Sequence, residues 1–381
     1  MRLTPPQQTI FTTMSALASQ LGAINLGQGF PDAEHAPELL SAAARALLEK
    51  SNQYPPMRGL PELRQGVCDY YARRQGLALE PAQVVVTSGA TEALAASILA
   101  FIGPGDEAIV LQPAYDAYVP LIERAGGTVV TVNLAPPHWT IPFDALEAAI
   151  TPRTRLIIAN TPNNPTGTLF GLADLERLGA LCEHHDLVLL CDEVWEGMIF
   201  NGEPHVSPLH IPALRERSIK IGSAGKLFSL TGWKVGWAVA APALADAIAG
   251  QHQFLTFTTA TPLQWAVAEG LALPDAWHHA HAAIYAPRRA QLIKGLEAAG
   301  FVGLPSAGTW FVSVDLAASG LPADDAQVAE RLIREAGVAS IPVSAFYRDD
   351  PLRGYLRLCF AKQEAVLDEA LERLAGFRAR F

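Results

Sequence analysis

The amino-acid sequence predicts an α/β fold with a largely parallel sheet. Short apolar runs alternate along the chain with helix-like segments. These runs lack polar alternation, as expected for parallel strands that helices cover on both faces. A polar or glycine-rich cluster directly follows each run, and ligands of open α/β sheets bind at the carboxyl ends of the strands. The clusters are therefore predicted to form one site.

Five apolar runs are the predicted strands of this sheet. An alanine-rich helical pattern, residues 92–101, follows the first of them. The predicted strands are residues 84–87, 108–111, 156–159, 187–191 and 218–221.

The pattern changes after about residue 277, where a long helical stretch precedes short strand-like segments at 310–314 and 355–360. This change predicts a smaller α+β domain. We expect residues 1–40 to contribute an N-terminal segment to the small domain. Residues 41–280 would form the large domain and residues 281–381 the C-terminal part of the small one.

The composition favours a soluble cytoplasmic protein. The formal net charge of -10 argues against nucleic acid or an anionic membrane as the main partner. The four cysteines have no metal-ligand spacing, so we predict reduced thiols and no metal site. We predict neither a signal peptide nor a membrane-spanning segment.

Lys226 is the first candidate catalytic residue, because small and apolar residues surround it in the sequence. Desolvation favours a neutral, nucleophilic amine, which forms Schiff bases with carbonyl groups. A lone lysine here would more simply be a surface residue of a glycine-rich loop. Ser223 and Lys234 add a hydroxyl and a second cation that suit a phosphate. A Walker-type loop does not fit, since Leu227 stands where that motif needs Ser or Thr.

Asp192 ends the fourth predicted strand and is the second candidate catalytic residue. Taken alone, it would be a helix cap. Together with Lys226 it has another role, because a carboxylate facing a pyridine nitrogen keeps that nitrogen protonated. A Schiff-base lysine and an aspartate partner for the ring are what proteins supply to pyridoxal phosphate.

Six motifs extend this pattern along the chain. They are residues 25–32 (NLGQGFPD), 160–167 (NTPNNPTG), 192–194 (DEV), 223–226 (SAGK), 231–236 (TGWKVG) and 357–360 (RLCF). With these motifs, the chain from about Thr9 onward resembles the pyridoxal phosphate-dependent class I aminotransferases of fold type I. It is similar in particular to the methionine aminotransferases and the kynurenine–glutamine aminotransferases. The resemblance implies a large domain with a mostly parallel sheet of seven-stranded type and a smaller α+β domain.

The resemblance implies a role for each residue at the reactive end of the cofactor. Lys226 would form the Schiff base and then move the proton between the substrate and the cofactor. Asp192 would pair with the ring nitrogen, and Tyr115 would stack on the ring. Asn164 would donate to the ring's phenolic oxygen and help to hold the substrate carboxylate.

The resemblance also implies a phosphate site at the start of a helix. Gly89, Ala90 and Thr91 would present backbone amides to the anion. Ser223 and Lys234 would complete this site.

Two further implications concern the partner subunit and the substrate. Tyr54 resembles the tyrosine that reaches the phosphate from the neighbouring subunit, which implies a homodimer. Arg357 would bind the substrate carboxylate with its guanidinium fork, and Gly29 would let the backbone approach that carboxylate.

The sequence departs from the family pattern at two places. Trp195 stands where the family has a tyrosine that binds the phenolic oxygen, and we expect its indole N–H to replace that hydroxyl. Thr259 and Ala260 stand where kynurenine aminotransferases carry Phe-His, which weakens the transfer of their substrate preference.

The resemblance implies transamination between an L-amino acid and a 2-oxo acid. Residues 251–265 contain no arginine that could pair with a side-chain carboxylate, which favours methionine, aromatic or glutamine-like donors. Phe257 and Trp310 are candidates either for an apolar wall or for the core. A cysteine-S-conjugate β-lyase with the same residues is the alternative. A cofactor-binding regulator that binds DNA would need a basic module, which this acidic chain does not contain.

Overall fold

The computed structural model describes residues 9–32, 36–200, 202 and 204–381. The helices of these residues are α1 (Ile10–Leu21), α2 (Pro37–Glu49), α3 (Pro61–Gln75), α4 (Ala90–Phe101), α5 (Tyr118–Arg124), α6 (Phe143–Ala148), α7 (Leu172–His184), α8 (Ala224–Leu227), α9 (Pro242–Leu255), α10 (Thr261–Leu271), α11 (Asp275–Ala283), α12 (Tyr285–Ala298), α13 (Asp325–Arg331) and α14 (Glu364–Arg378). The strands are β1 (Ile24–Asn25), β2 (Val84–Thr87), β3 (Glu107–Gln112), β4 (Thr128–Asn133), β5 (Thr154–Asn160), β6 (Val188–Asp192), β7 (Ser218–Ser223), β8 (Gly236–Ala240), β9 (Val302–Gly303), β10 (Phe311–Asp315), β11 (Val338–Ala339), β12 (Ile341–Pro342) and β13 (Tyr355–Cys359). None of the helices in these ranges is long and apolar enough to cross a membrane.

A seven-stranded sheet in the order β2-β8-β7-β6-β5-β3-β4 forms the centre of the large part of the molecule. Its neighbouring strands are parallel except at β8, which is antiparallel to both β2 and β7. The five predicted strands correspond to β2, β3, β5, β6 and β7. The predicted α/β fold with a mostly parallel sheet is confirmed, and the structure adds β4 and β8.

Burial on both faces explains why the predicted strands are continuous apolar runs. Successive residues of β5 point into different cores, since Ile157 packs with Leu189 whereas Ile158 packs with Leu190 and Ile221. Each such side chain stabilises the fold by roughly 1.5–3 kcal/mol when it is fully buried. A polar residue at either kind of position would lose that contribution.

A second, smaller sheet has the order β12-β13-β10-β9 and is antiparallel. The segments predicted at 310–314 and 355–360 correspond to β10 and β13. Ser313 pairs with Arg357 across these two strands, which fixes the position of the arginine. The N-terminal β1 pairs in parallel with β11, so the start of the described chain packs beside its C-terminal part.

Candidate active site

The carboxyl ends of the parallel strands meet at a cavity of about 290 Å³. This volume lies near the lower end of the range for small-molecule sites, roughly 300–1,000 Å³. Of the residues singled out in the sequence, the cavity brings together Gly29, Gly89, Ala90, Thr91, Tyr115, Asn164, Asp192, Trp195, Ser223, Lys226, Lys234 and Arg357. Tyr54 is not among the residues around this cavity, and its side chain is 83% exposed.

Lys226 lies in the short helix α8, directly after β7. Desolvation by the surrounding protein, together with the charges of Arg357 and Lys234, lowers the pKa of its amine to about 8. The amine lies 4.7 Å from the centre of the Trp195 ring. The neutral, nucleophilic form of Lys226 is therefore much more populated near neutral pH than that of an ordinary lysine.

Asp192 is the last residue of β6, and its carboxylate is held by two donors. The hydroxyl of Tyr118 donates to Oδ2 at 2.7 Å, and the N–H of Val194 donates to Oδ1 at 3.2 Å. Burial raises the pKa of Asp192 to about 6, although these hydrogen bonds oppose the rise. At pH 7 the carboxylate is therefore mostly ionised.

Sequence reasoning missed Tyr118, which is buried and begins helix α5. Tyr115 precedes it by three residues, and the two rings meet edge to face with centroids 5.8 Å apart. Residues three apart lie on one face of a helical turn, so the tyrosine pair was a usable signal.

The N-terminus of α4 and Lys234 form the polar end of the cavity. Gly89 precedes the helix with a φ of 78°, a backbone conformation that favours glycine. A Cβ at Gly89 would lie 3.2 Å from Nζ of Lys234, so the amine lies directly against this turn. Backbone N–H groups at a helix start and an adjacent ammonium form a site for an anion.

Arg357 also lines the cavity and is buried. One terminal nitrogen donates to Oδ1 of Asn164 at 2.7 Å, and the other donates to the carbonyl of Gly27. Its buried Nε makes no hydrogen bond within the described residues. Burial lowers the pKa of Arg357 to about 9, and the group stays cationic at neutral pH. A partly satisfied, buried guanidinium is suited to a carboxylate ligand.

Asn164 and Gly29 occupy loops whose paths are fixed by close contacts. The N–H of Asn164 donates to Oδ1 of Asn160 at 2.8 Å, and Nδ2 of Asn160 donates to the carbonyl of Asp192 at 2.7 Å. A Cβ at Gly29 would lie 2.4 Å from Cζ of Phe311. Glycine therefore allows the loop to pass across this ring.

Trp195 packs edge to face against Trp310 and Phe311, with centroids 4.9 and 5.5 Å away. Its indole N–H donates to no protein acceptor in the part of the chain that the structure describes. Trp310 and Phe257 are not among the described residues that border this cavity, and Trp310 takes its alternative place in the core. Trp310 is fully buried behind Trp195, and Phe257 lies beside Tyr54 with ring centroids 5.6 Å apart.

The apolar wall is instead formed by Phe11, Val194, Trp195 and Phe311. Phe11 belongs to α1 and was missed, because nothing in the sequence indicates that this helix reaches the cavity. Gln28 also borders the cavity, and its Nε2 donates to the hydroxyl of Ser15 in α1 at 2.6 Å. The N-terminal helix therefore contributes directly to the site.

Comparison with known proteins places this geometry in one family. Residues 22–374 match the family of class I and II aminotransferases. The chain is 40% identical over 367 residues to methionine aminotransferase of Escherichia coli, covering 96% of this chain and 95% of that one. It is 39% identical over 393 residues to a probable N-succinyldiaminopimelate aminotransferase of Mycobacterium tuberculosis, covering 100% and 98%.

The solved structures of similar proteins agree with the sequence comparison. The E. coli methionine aminotransferase superposes with a TM-score of 0.94 at 39% identity, over 98% of this chain and 100% of that chain. The M. tuberculosis N-succinyldiaminopimelate aminotransferase also has a TM-score of 0.94, at 38% identity over 99% and 100% of the two chains. The similarity therefore extends over the whole architecture.

Proposed function

This chain belongs to the class I and II aminotransferases, and we propose that its cavity binds pyridoxal phosphate, the cofactor that this family uses. The observation that carries the proposal is the set of charged groups around one cavity. An anion site at the start of α4, a lysine of lowered pKa, a buried carboxylate and a buried guanidinium all line it. When bound, the cofactor supplies a protonated pyridine ring that accepts the electron pair released at the substrate α-carbon.

The phosphate end of this proposed site rests on backbone and side-chain donors. The amides of Ala90 and Thr91 start α4, and Ser223 ends β7 and also lines the cavity, whereas the predicted amide of Gly89 already donates to the carbonyl of Thr87 at 2.8 Å. Lys234 adds a positive charge against the same turn. These groups can hold a phosphate without any further protein cation.

At the reactive end, the proposed roles follow from charge and position. Lys226 would hold the cofactor through its amine, and the freed amine would carry the proton from the substrate α-carbon. Asp192, ionised at pH 7 and held by Tyr118, keeps a proton on the ring nitrogen. Tyr115 would cover one face of the ring, and Asn164 would donate to its phenolic oxygen.

The substrate carboxylate would bind at Arg357. Its guanidinium can donate two parallel hydrogen bonds to a carboxylate, and every α-amino acid carries this group. The bond to Asn164 holds the arginine in place, while Gly29 allows close approach of the loop.

We propose an apolar or neutral side chain for the preferred donor, with methionine, aromatic amino acids or glutamine as candidates. Phe11, Val194, Trp195 and Phe311 border the cavity. Among the described residues that line it, the cations are Lys226, Lys234 and Arg357, which already have proposed partners. A side-chain carboxylate of aspartate would lack a counter-charge there, and burying it unpaired is costly.

A homodimer would complete the site. Tyr54 is highly exposed and packs against the partly exposed Phe257, so an aromatic pair faces away from its own subunit. Exposed apolar groups of this kind mark protein interfaces. We propose that Tyr54 reaches the phosphate of the neighbouring subunit.

The division of the chain and its location are also proposals. The pairing of β1 with β11 supports a small domain made of residues 1–40 and 281–381, with residues 41–280 as the large, cofactor-binding domain. The four cysteines are buried and unpaired, which supports a cytoplasmic location.

A half-reaction screen tests the proposed function. Each of the twenty amino acids is added to the cofactor-loaded protein, and the visible absorbance of the lysine-bound cofactor is followed. We expect methionine, phenylalanine or glutamine to discharge it fastest. A kcat/KM for aspartate above those for methionine and phenylalanine would overturn the proposed donor class, and pyruvate release from cysteine conjugates would indicate the β-lyase reaction.

A further inference from the structure

The end of β6 and the turn that follows it carry two sets of side chains with different surroundings. Asp192 and Trp195 line the cavity. Glu193 and Glu196 point elsewhere, and their side chains are 0% and 3% exposed. Buried carboxylates are costly unless they are paired, so their partners require an explanation.

Lys220 of β7 is the shared partner of both carboxylates. Its Nζ lies 2.6 Å from Oε2 of Glu193 and 2.6 Å from Oε2 of Glu196, and its side chain is 0% exposed. Burial by itself would lower the pKa of Lys220, but the two carboxylates outweigh it and raise that pKa. Lys220 is therefore a buried ammonium ion.

Four further side chains also bond to the two carboxylates. His205 and Ser207 bond to Glu193 at 2.5 and 3.0 Å. Tyr71 and Gln75 bond to Glu196 at 2.6 and 2.7 Å. All four carboxylate oxygens therefore have donors.

A metal ion is the competing explanation for this cluster. Ligand atoms of Glu193, Glu196 and His205 lie within 4.8 Å of one another, as they would around a cation. The ammonium of Lys220 is already bonded to both carboxylates and holds the place of that cation. With Lys220 at its centre, the cluster has a cation bonded to both carboxylates where a metal ion would otherwise lie.

The position of Lys220 in the sheet connects this cluster to the cavity. Strand β6 pairs with β7 up to Asp192 and Ile221, and the N–H of Glu193 still donates to the carbonyl of Ile221 at 3.1 Å. Beyond that point, backbone pairing gives way to a turn. The bonds from Lys220 are side-chain links that cross from β7 to this turn.

We propose, building on the cofactor site proposed above, that Lys220 is a positioning residue for that site. Its ammonium links the turn that carries Asp192 and Trp195 to the strand that ends at Ser223 and leads into Lys226. Reacting groups must be held to within a fraction of an ångström, and errors of about 1 Å cost roughly a hundredfold in rate. A link of this kind on the far side of the turn restricts such errors.

Two variants separate positioning from charge compensation. Lys220→Met leaves two carboxylates without their shared cation, so we expect this single variant to lose stability. Its loss of stability would mask any separate effect on the position of the site residues. In Lys220→Met/Glu196→Gln, Glu193 keeps His205 and Ser207, and residue 196 is neutral. The double variant therefore removes the link between β7 and the turn without leaving two buried carboxylates that lack their shared cation.

The readouts are hydrogen exchange in the cofactor-free protein and steady-state kinetics of the loaded protein. We expect faster exchange in peptides covering 192–198 and 223–228 of the double variant. With methionine as donor, we expect kcat to fall about tenfold or more, with KM close to that of the wild type.

Glu107→Gln is the matched control. Glu107 is a buried carboxylate that pairs with Arg153, and it is the first residue of β3, so it lies at the end of the sheet away from the cavity. It should lower Tm without changing kcat or exchange in the two peptides. Wild-type exchange and kcat in the folded double variant would overturn the proposal. A wild-type protein that binds no cofactor would refute the proposed function, and exchange alone would then decide whether Lys220 links the two segments.

Discussion

The hydroxyl of Tyr118 lies 2.7 Å from Oδ2 of Asp192 and donates a hydrogen bond to it inside the protein. Tyr118 is buried, and burial raises its own pKa well above the ordinary value, so its proton stays on the phenol. The bond favours the ionised form of Asp192 against the desolvation that raises the pKa of this carboxylate to about 6. Tyr118 therefore controls how much of Asp192 is charged near neutral pH.

Tyr118→Phe should raise the pKa of Asp192. A hydrogen bond to a charged group contributes roughly 1.5–3 kcal/mol, which corresponds to about one to two pKa units. Because the ionised carboxylate is the proposed active form, the acid limb of kcat/KM should move to higher pH. Carboxyl NMR of the cofactor-free protein measures the pKa directly. Tyr347→Phe is the control, since its buried hydroxyl has no hydrogen-bond partner among the described residues. Equal pKa values of Asp192 in the Tyr118→Phe and Tyr347→Phe variants would contradict the expectation.

Lys226→Ala should abolish the covalent bond between the protein and pyridoxal phosphate. The purified wild type should be yellow and should retain the cofactor after borohydride reduction, as seen by mass spectrometry. Lys234→Gln gives the contrast, because loss of its charge at the start of α4 should weaken cofactor affinity but leave the covalent bond intact. A borohydride-reducible bond in Lys226→Ala before substrate is added would refute the assignment.

Trp195→Phe tests whether the indole N–H or only the ring is used. The N–H has no protein acceptor among the described residues and is therefore available to the cofactor's phenolic oxygen. Loss of this donor should raise the pKa that is read from the visible absorbance of the lysine-bound cofactor. The expected rise is about one unit and at most about two. An unchanged midpoint in a folded, loaded variant would reduce Trp195 to packing against Trp310 and to the contact of its ring with the Lys226 amine.

Arg357→Lys should weaken recognition of the substrate carboxylate while the positive charge remains. A lysine cannot donate the parallel pair of hydrogen bonds, nor can it reproduce the fork that contacts Asn164 and Gly27. Loss of one charge-assisted bond corresponds to roughly 1.5–3 kcal/mol, so kcat/KM for methionine should fall by about tenfold to a hundredfold. Cofactor absorbance should be unaffected. A wild-type kcat/KM would mean that the carboxylate binds elsewhere.

The strands were predictable where both of their faces are buried. In the middle of β5 and β6, successive side chains enter two different cores, and residues 156–159 and 188–191 are therefore a continuous apolar run. Strand β4 lies at the edge of the sheet and is only partly buried. Its sequence mixes polar and apolar residues and therefore does not form a continuous apolar run. Strand β8 runs antiparallel between two parallel strands, and nothing in its five residues encodes that direction.

The sequence by itself determined five strands of the large sheet and the family resemblance, and it indicated the site residues that are recognisable from short-range patterns. Lys226 with Ser223 and Lys234, Asp192 at a strand end, and the glycine turn before α4 are all short-range patterns. Their convergence followed from the topology rule that parallel strands present their carboxyl ends at one edge.

Only the tertiary structure decided which distant side chains surround these groups. Tyr118 reaches Asp192 across 74 positions of the chain, and Tyr71 reaches Glu196 across 125. Lys220 looked like an ordinary strand residue, yet it is the ammonium between two buried carboxylates. Such contacts depend on how helices and strands pack in three dimensions. A local pattern of residues records the chemistry of a side chain, but the fold determines the partners that set its charge and position.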